Sequence, residues 1–173
     1  MSGKPEIKTA SDAPEGAVVA VDENLISSVV KESRISPRKR MILPLHKGDF
    51  ALLQRMLNAI QPGSYIRPHR HAKDRAESIV VLQGAIRFLV FDDRGEIFQT
   101  LELRAGTPTF GIDFEGGVWH SFQTLEKDTV LFEVKPGPYN PDTDKEFAPW
   151  APEEFSPEAA AYLESLQNAT TSS

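Results

Sequence analysis

The stretch RPHRHAKDRAE, Arg67 to Glu77, sets two imidazoles one residue apart and places a carboxylate six positions beyond the second. Read as a strand, SYIRPHRH alternates its side chains between two faces. Tyr65, Arg67, His69 and His71 then point one way, and Ile66, Pro68 and Arg70 the other. The two imidazoles stand about 7 Å apart along such a strand, and one ion seated between them can take both. Glu77 opens the next apolar run, SIVVLQG, and can bring its carboxylate to the same ion.

A third imidazole has to come from elsewhere, and the remaining histidines are His46 and His120. His120 sits in GGVWHSF, at the start of a strand after a double-glycine turn, which can return a distant ligand to the same wall. His69, His71, His120 and Glu77 are therefore the expected metal ligands. Three imidazoles and a carboxylate suit one divalent ion (Fe, Mn, Co, Ni or Zn) and leave one or two positions open. Such an ion acts as a Lewis acid or activates bound water or oxygen. Against this stands a bland alternative, because His-x-His pairs are common on surfaces. Glu77 and the third histidine tip the balance towards a site.

Other residues are read around that centre. Arg67 and Tyr65 share the inward face, and an arginine beside a metal can fork to a substrate carboxylate or phosphate. The alternative for Arg67 is an internal ion pair with a carboxylate such as Glu133. His46 is expected either at the pocket mouth, as a substrate contact, or simply capped or exposed. Trp119 alternates away from His120 and reads as packing. Tyr139 and Trp150 read as belt packing more than as a cover over the mouth. No general base is assigned, because Glu77 is occupied as a ligand.

These side chains need a scaffold. From Ser64 to Lys135 the chain breaks into short apolar runs punctuated by Asp93-Arg94-Gly95, Gly106, Gly116-Gly117 and Lys127-Asp128. Short strands at near-regular spacing predict an all-β sandwich or barrel. Upstream, Asp22 can cap a helix whose Leu25, Ile26, Val29 and Val30 share one face. SRISPRKR follows, read as a solvated linker, or else as a clamp on an anionic ligand or a neighbouring subunit. GDFALLQRMLNAIQPG is expected to form a short turn of helix and then a strand. The Pro-rich KPGPYNPDTDKEFAPWAPEEF leaves the sheet, since its prolines exclude a central strand. Ser156 is expected to cap a last helix, with Pro157 at its first position. NATTSS reads as a tail, and its Asn168-Ala169-Thr170 sequon as chance.

Composition bounds the rest. The chain has 173 residues, near the size of one domain. At 40% hydrophobic it can build a core, and a net charge of −6 does not point to nucleic acid. It has no cysteine, which removes disulfides, thiolate metal sites and cysteine nucleophiles. The opening segment has no signal-peptide core, and no run approaches membrane-spanning length. A cytoplasmic location is expected, with a small-molecule ligand, no nucleic acid and no membrane partner.

The spacing resembles a known family. Gly63, then His69-Arg70-His71, Glu77 and Gly84 resemble the first cupin motif, with a gap from His71 to Glu77 that is longer than usual. Glu115-Gly116-Gly117-Val118-Trp119-His120 resembles the second, although Glu115 replaces the usual proline and Thr124 stands where asparagine is expected. SPRKR, the LPLH before the barrel, QRMLNAIQPGSYIRPHRH and EVKPGPYNPDTDKEFAPWAP are together similar to the WbuC family of cupin-fold metalloproteins, from about Asp22 to Pro152. The resemblance implies a mainly β, RmlC-like cupin jelly-roll barrel with short N-terminal and C-terminal helices, and a metal on the motif residues. The expected division is a flexible arm over 1–20, the barrel with its helix and Pro-rich belt over 21–152, and a helix and tail over 153–173. By analogy the chain is a possible homodimer. Three functions follow: a metal-dependent enzyme on a small polar metabolite such as a sugar derivative, a metal-dependent binding or sensing module, or a metal-free sugar-nucleotide epimerase-like protein.

Overall fold

A computed structural model describes residues 7–169. In chain order the elements are α1 (Glu23–Ile35), β1 (Arg40–Pro44), β2 (Leu53–Ile60), β3 (His69–Arg70), β4 (Glu77–Gln83) and β5 (Ala85–Phe91). They continue with β6 (Ile97–Arg104), β7 (Gly111–Phe114), β8 (Trp119–Thr124), β9 (Thr129–Pro136), β10 (Glu146–Phe147) and α2 (Ala159–Asn168). The strands form two five-stranded antiparallel sheets, ordered β1-β2-β9-β4-β7 and β10-β3-β8-β5-β6. This is the jelly-roll barrel expected from the sequence.

Strand alternation sorts the side chains into three layers. Between the sheets, Ile60, Ile79, Val81, Phe88, Phe122 and Leu131 pack as one cluster. On the outer face of the first sheet, Val29 and Val30 of α1 meet Met41, Leu43, Leu57, Ala59 and Val130. Asp22 starts that helix as expected, its carboxylate accepting from the Leu25 N–H at 2.9 Å. On the outer face of the second sheet, Leu166 of α2 packs with Leu89, Phe91, Ile97 and Trp119. A fully buried side chain such as Phe88 contributes about 1.5–3 kcal/mol relative to exposure.

The inward rows change character along the barrel. Val81 and Ile79 give way to Glu77 on β4, and Leu131 gives way to Glu133 and Lys135 on β9. Phe122 gives way to His120 on β8, and Ile60 to Asn58 on β2. One end of the barrel is thus an apolar plug and the other a polar cavity.

Several expectations are corrected. The expected turn of helix directly before β2 is absent: residues 48–52 turn instead, leaving Phe50 and Leu52 exposed. The segment is too short to repay helix nucleation, and Asp49 and Leu52 bond through their carbonyls to Tyr139 and Gly137. In SRISPRKR, three of the four cations are paired rather than simply solvated. Arg38 and Arg40 both grip Glu154, and Arg34 grips Asp128. Ser156 does not cap α2, which begins at Ala159 without a side-chain cap. Its hydroxyl is buried without a partner. Over its described residues the arm is pinned, where Ala10 bridges Ile42, the Ser11 N–H bonds the Ile42 carbonyl, Lys8 pairs with Glu32, and the Pro14 carbonyl accepts from Lys47. The Pro-rich belt does leave the sheet but returns as β10 at an edge, where a short strand between prolines is tolerated. Residues 1–6 of the arm and 170–173 of the tail, with Thr170 of the sequon, lie outside the described residues.

Candidate metal centre

His69 and His120 are direct partners across β3 and β8, and His71 follows two residues after His69. All three are buried. Their ring centres lie 4.4 to 5.8 Å apart, and one ligand atom from each falls within 4.8 Å of the others. The Glu77 carboxylate lies 3.0 Å from His71 Nε2 and 3.9 Å from His120 Nε2. The three histidines named from the sequence therefore converge, and the Glu77 carboxylate reaches two of them.

The long AKDRA segment does not carry Glu77 away. It folds as a turn, with the Arg75 N–H on the Ala72 carbonyl and the Arg75 guanidinium on the carbonyls of Pro136 and Pro138. The glycine turn before His120 presses directly against it. The Gly117 N–H bonds the His71 carbonyl at 2.9 Å, and a Cβ on Gly116 would sit 2.0 Å from the Ala72 oxygen. Only glycine permits that approach. The turns that follow His71 and precede His120 are thus one packed unit.

The second ring nitrogen of each histidine is also committed. Nδ1 of His69 lies 2.9 Å from the Arg67 carbonyl, Nδ1 of His120 lies 2.9 Å from the Val118 carbonyl, and Nδ1 of His71 lies 2.5 Å from the Asp144 carbonyl. A carbonyl only accepts, so each Nδ1 carries a proton and donates. In the neutral rings, each Nε2 then presents a lone pair to the cluster. At His71, Nε2 lies 3.0 Å from the Glu77 carboxylate. A proton or a divalent ion shared between the two would satisfy both groups.

Charge states agree with that role. Burial first, then the charges of Lys145, His120 and His71, holds His69 well below the usual histidine range. Burial brings His120 down to about 4, against the opposing pull of Glu77. Burial alone would raise Glu77, but the His71 hydrogen bond and the charges of His120 and Lys135 bring it down to about 2. Neutral rings at His69 and His120 with an ionised carboxylate at Glu77 are forms a divalent ion binds.

The residues expected around the centre divide. Arg67 lines the cavity, its guanidinium carbon 5.1 Å from the Phe147 ring centre and one nitrogen on the Ala148 carbonyl. It does not pair with Glu133, which accepts instead from Asn58 at 2.9 Å. Tyr65 does not face the cavity. Its hydroxyl donates to the Pro152 carbonyl and its ring meets Tyr162. The assumed alternation fails because only His69–Arg70 is strand, and Pro68 cannot continue a ladder backwards. His46 is buried and capped, its Nδ1 3.0 Å from the Arg55 amide, yet it also lines the cavity. Trp119 packs outward, donating to Asp93. Trp150 packs against Phe91 and Trp119 as expected of a belt, whereas Tyr139 lines the cavity.

Three cavity residues were not assigned from the sequence. Glu133 is buried beside the cluster, and burial with the charge of Glu77 pushes it up to about 7. Lys135 forms a buried pair with Asp144 at 2.7 Å, anchoring the segment whose carbonyl holds His71. Lys145 also lines the cavity. Glu133 and Lys135 were findable, since TVLFEVKP puts Leu131, Glu133 and Lys135 on one face. Lys145 lies in the irregular belt, where no periodicity points inward. The cavity, of about 600 Å³, also takes in Arg40, Asn58, Ile66 and Phe122.

Comparison with known proteins follows the fold. Residues 21–103 match the family described as Domain of unknown function (DUF6016). No functionally curated sequence matches the chain. Among solved structures, it is similar to an L-ribose isomerase of Cellulomonas parahominis, at 17% identity, 64% of this chain, 70% of that one and a TM-score of 0.53. It also matches the Cnp3 cupin domain of Schizosaccharomyces pombe, at 16% identity, 57% and 65% coverage and a TM-score of 0.44. An oxalate decarboxylase of Lactobacillus farciminis in a formate complex matches at 25% identity, 55% and 26% coverage and a TM-score of 0.44. The chain spans about a quarter of that decarboxylase. The fold is the cupin barrel. Among the described residues, no helix is long and apolar enough to cross a membrane.

Proposed function

We propose that this chain is a divalent-metal-binding cupin-fold protein and a metal-dependent enzyme acting on a small polar metabolite. The observation that carries this is the buried cluster of His69, His71 and His120, whose ligand atoms lie within 4.8 Å of one another beside the Glu77 carboxylate. His69, His71, His120 and Glu77 would hold the ion. When bound, the ion supplies Lewis acidity towards substrate oxygens.

The chain's own residues supply the rest. The carbonyls of Arg67, Asp144 and Val118 orient the three rings. Ile66 and Phe122 keep the inner wall apolar. Glu133, brought to about 7 by burial and the nearby Glu77 charge, is poised to hold or release a proton at neutral pH. That carboxyl favours turnover over mere binding. The WbuC-like motifs add a sugar or sugar-derivative substrate in polysaccharide biosynthesis as the finer reading.

A binding or sensing module without turnover is the second reading. The contrast is tested by screening the metal-loaded protein against sugars, sugar nucleotides and keto acids. Turnover that falls steeply in Glu133→Gln supports the enzyme. Ligand-induced stabilisation without turnover supports the module. The metal-free epimerase reading needs a free histidine base, and His46 is held through Nδ1 by the Arg55 backbone.

A further inference from the structure

We propose that Lys145 and Arg67 form an oxyanion subsite beside the histidine cluster, so that the ligand carries a carboxylate. The inference deepens the metal reading and rests on it for the ligand's second point of attachment.

The cations around the cavity are unequal. Arg38 and Arg40 share Glu154, and Lys135 is paired with Asp144. Among the described residues, neither Arg67 nor Lys145 has a carboxylate at ion-pair distance. Both line the same cavity as the three histidines. Lys145 is close enough to the cluster for its charge to act on both His69 and His120. Arg67 is held flat against Phe147, its Nε buried without a partner.

Lys145 feels the charges of Asp144, Glu77 and Glu133 but is paired with none of them, so an anion bound directly to it and to Arg67 would supply a contact that neither makes within the protein. The nearby carboxylates do not serve. Glu77 is turned to His71 and His120, and Glu133 is bound by Asn58. A ligand oxyanion suits both groups chemically, since a planar guanidinium and an ammonium each bind carboxylate. A neighbouring hydroxyl or keto oxygen of the same molecule would then reach the cluster. The chemical class is a small hydroxy- or keto-carboxylate, with the acidic group the main determinant of recognition.

The test is calorimetric titration of malonate, inorganic phosphate and neutral xylitol into wild type, Lys145→Gln and Arg67→Gln. Each is run with and without Mn(II), with metal content and melting temperature measured in parallel. Malonate should bind wild type, weaken about tenfold or more in each variant, and lose affinity as salt is raised. Metal content should stay at the wild-type level, and xylitol should not compete. Unchanged malonate affinity in Lys145→Gln would overturn the subsite, as would xylitol binding as tightly as malonate. Phosphate binding more tightly than malonate would overturn the carboxylate assignment. If wild type takes up no metal, yet malonate still binds and Lys145→Gln abolishes it, the subsite stands and the metal reading fails.

Discussion

His71 Nε2 and the Glu77 carboxylate lie 3.0 Å apart, bridging the turn that separates them in the chain. Removing the charge while keeping the shape isolates what the contact is for. Glu77→Gln should fold, because an amide can still bond a histidine. Its metal affinity should fall about a hundredfold or more, beyond the effect of losing an outer hydrogen-bond partner. Competition against a chelator measures it, and wild-type affinity in Glu77→Gln would remove Glu77 from the ligand set.

The four histidines should separate into two kinds. His71→Ala should abolish the rise in melting temperature on adding metal. His46→Ala should keep most of that rise, since His46 is held by the Arg55 backbone at the cavity wall. If His46→Ala does the greater damage, the ligand assignment is wrong.

Gly116→Ala probes the packed turns. The added methyl would meet the Ala72 oxygen at 2.0 Å, so one turn has to move. Overpacking of this kind destabilises by about 1–3 kcal/mol. Because the displaced turns carry His71 and His120, metal affinity should fall as well. A stability loss with unchanged metal affinity would show that the turns do not position the ligands.

Much of this was legible in the sequence, for definable reasons. His120 was findable because β8 alternates regularly and a double glycine precedes it. His69 and His71 were findable by type and spacing, although their strand is only two residues long. Tyr65 was misplaced because alternation was carried back through Pro68, where the ladder stops. Asp144 and Lys145 stayed hidden because the Pro-rich belt has no period from which an inward face can be read. The pairing of Arg38 and Arg40 with Glu154 joins residues more than a hundred positions apart, which no local pattern reveals.

The metal-free protein should show opposed pH effects. His120 is lowered to about 4 from 6.5, so unfolding takes up a proton between those values. Its contribution is complete above the unfolded value and is lost as pH falls towards about 4. Glu133 is raised to about 7 from 4.5, so its contribution is complete below 4.5 and is lost as pH rises through about 7. Glu133→Gln removes only the second effect. The melting temperature of Glu133→Gln minus that of wild type should therefore grow more positive from about pH 5 to about pH 8. A difference that stays flat or reverses would show that Glu133 is not held protonated by its surroundings.

The central claim is that His69, His71, His120 and Glu77 hold a divalent ion. Elemental analysis of protein purified without added metal tests it most directly, followed by melting curves with Mn, Fe, Co, Ni and Zn. The account predicts about one ion per chain after loading, a clear rise in melting temperature with at least one metal, and loss of both in His71→Ala. Metal below about 0.1 per chain, with no gain in melting temperature from any of the five, would contradict it.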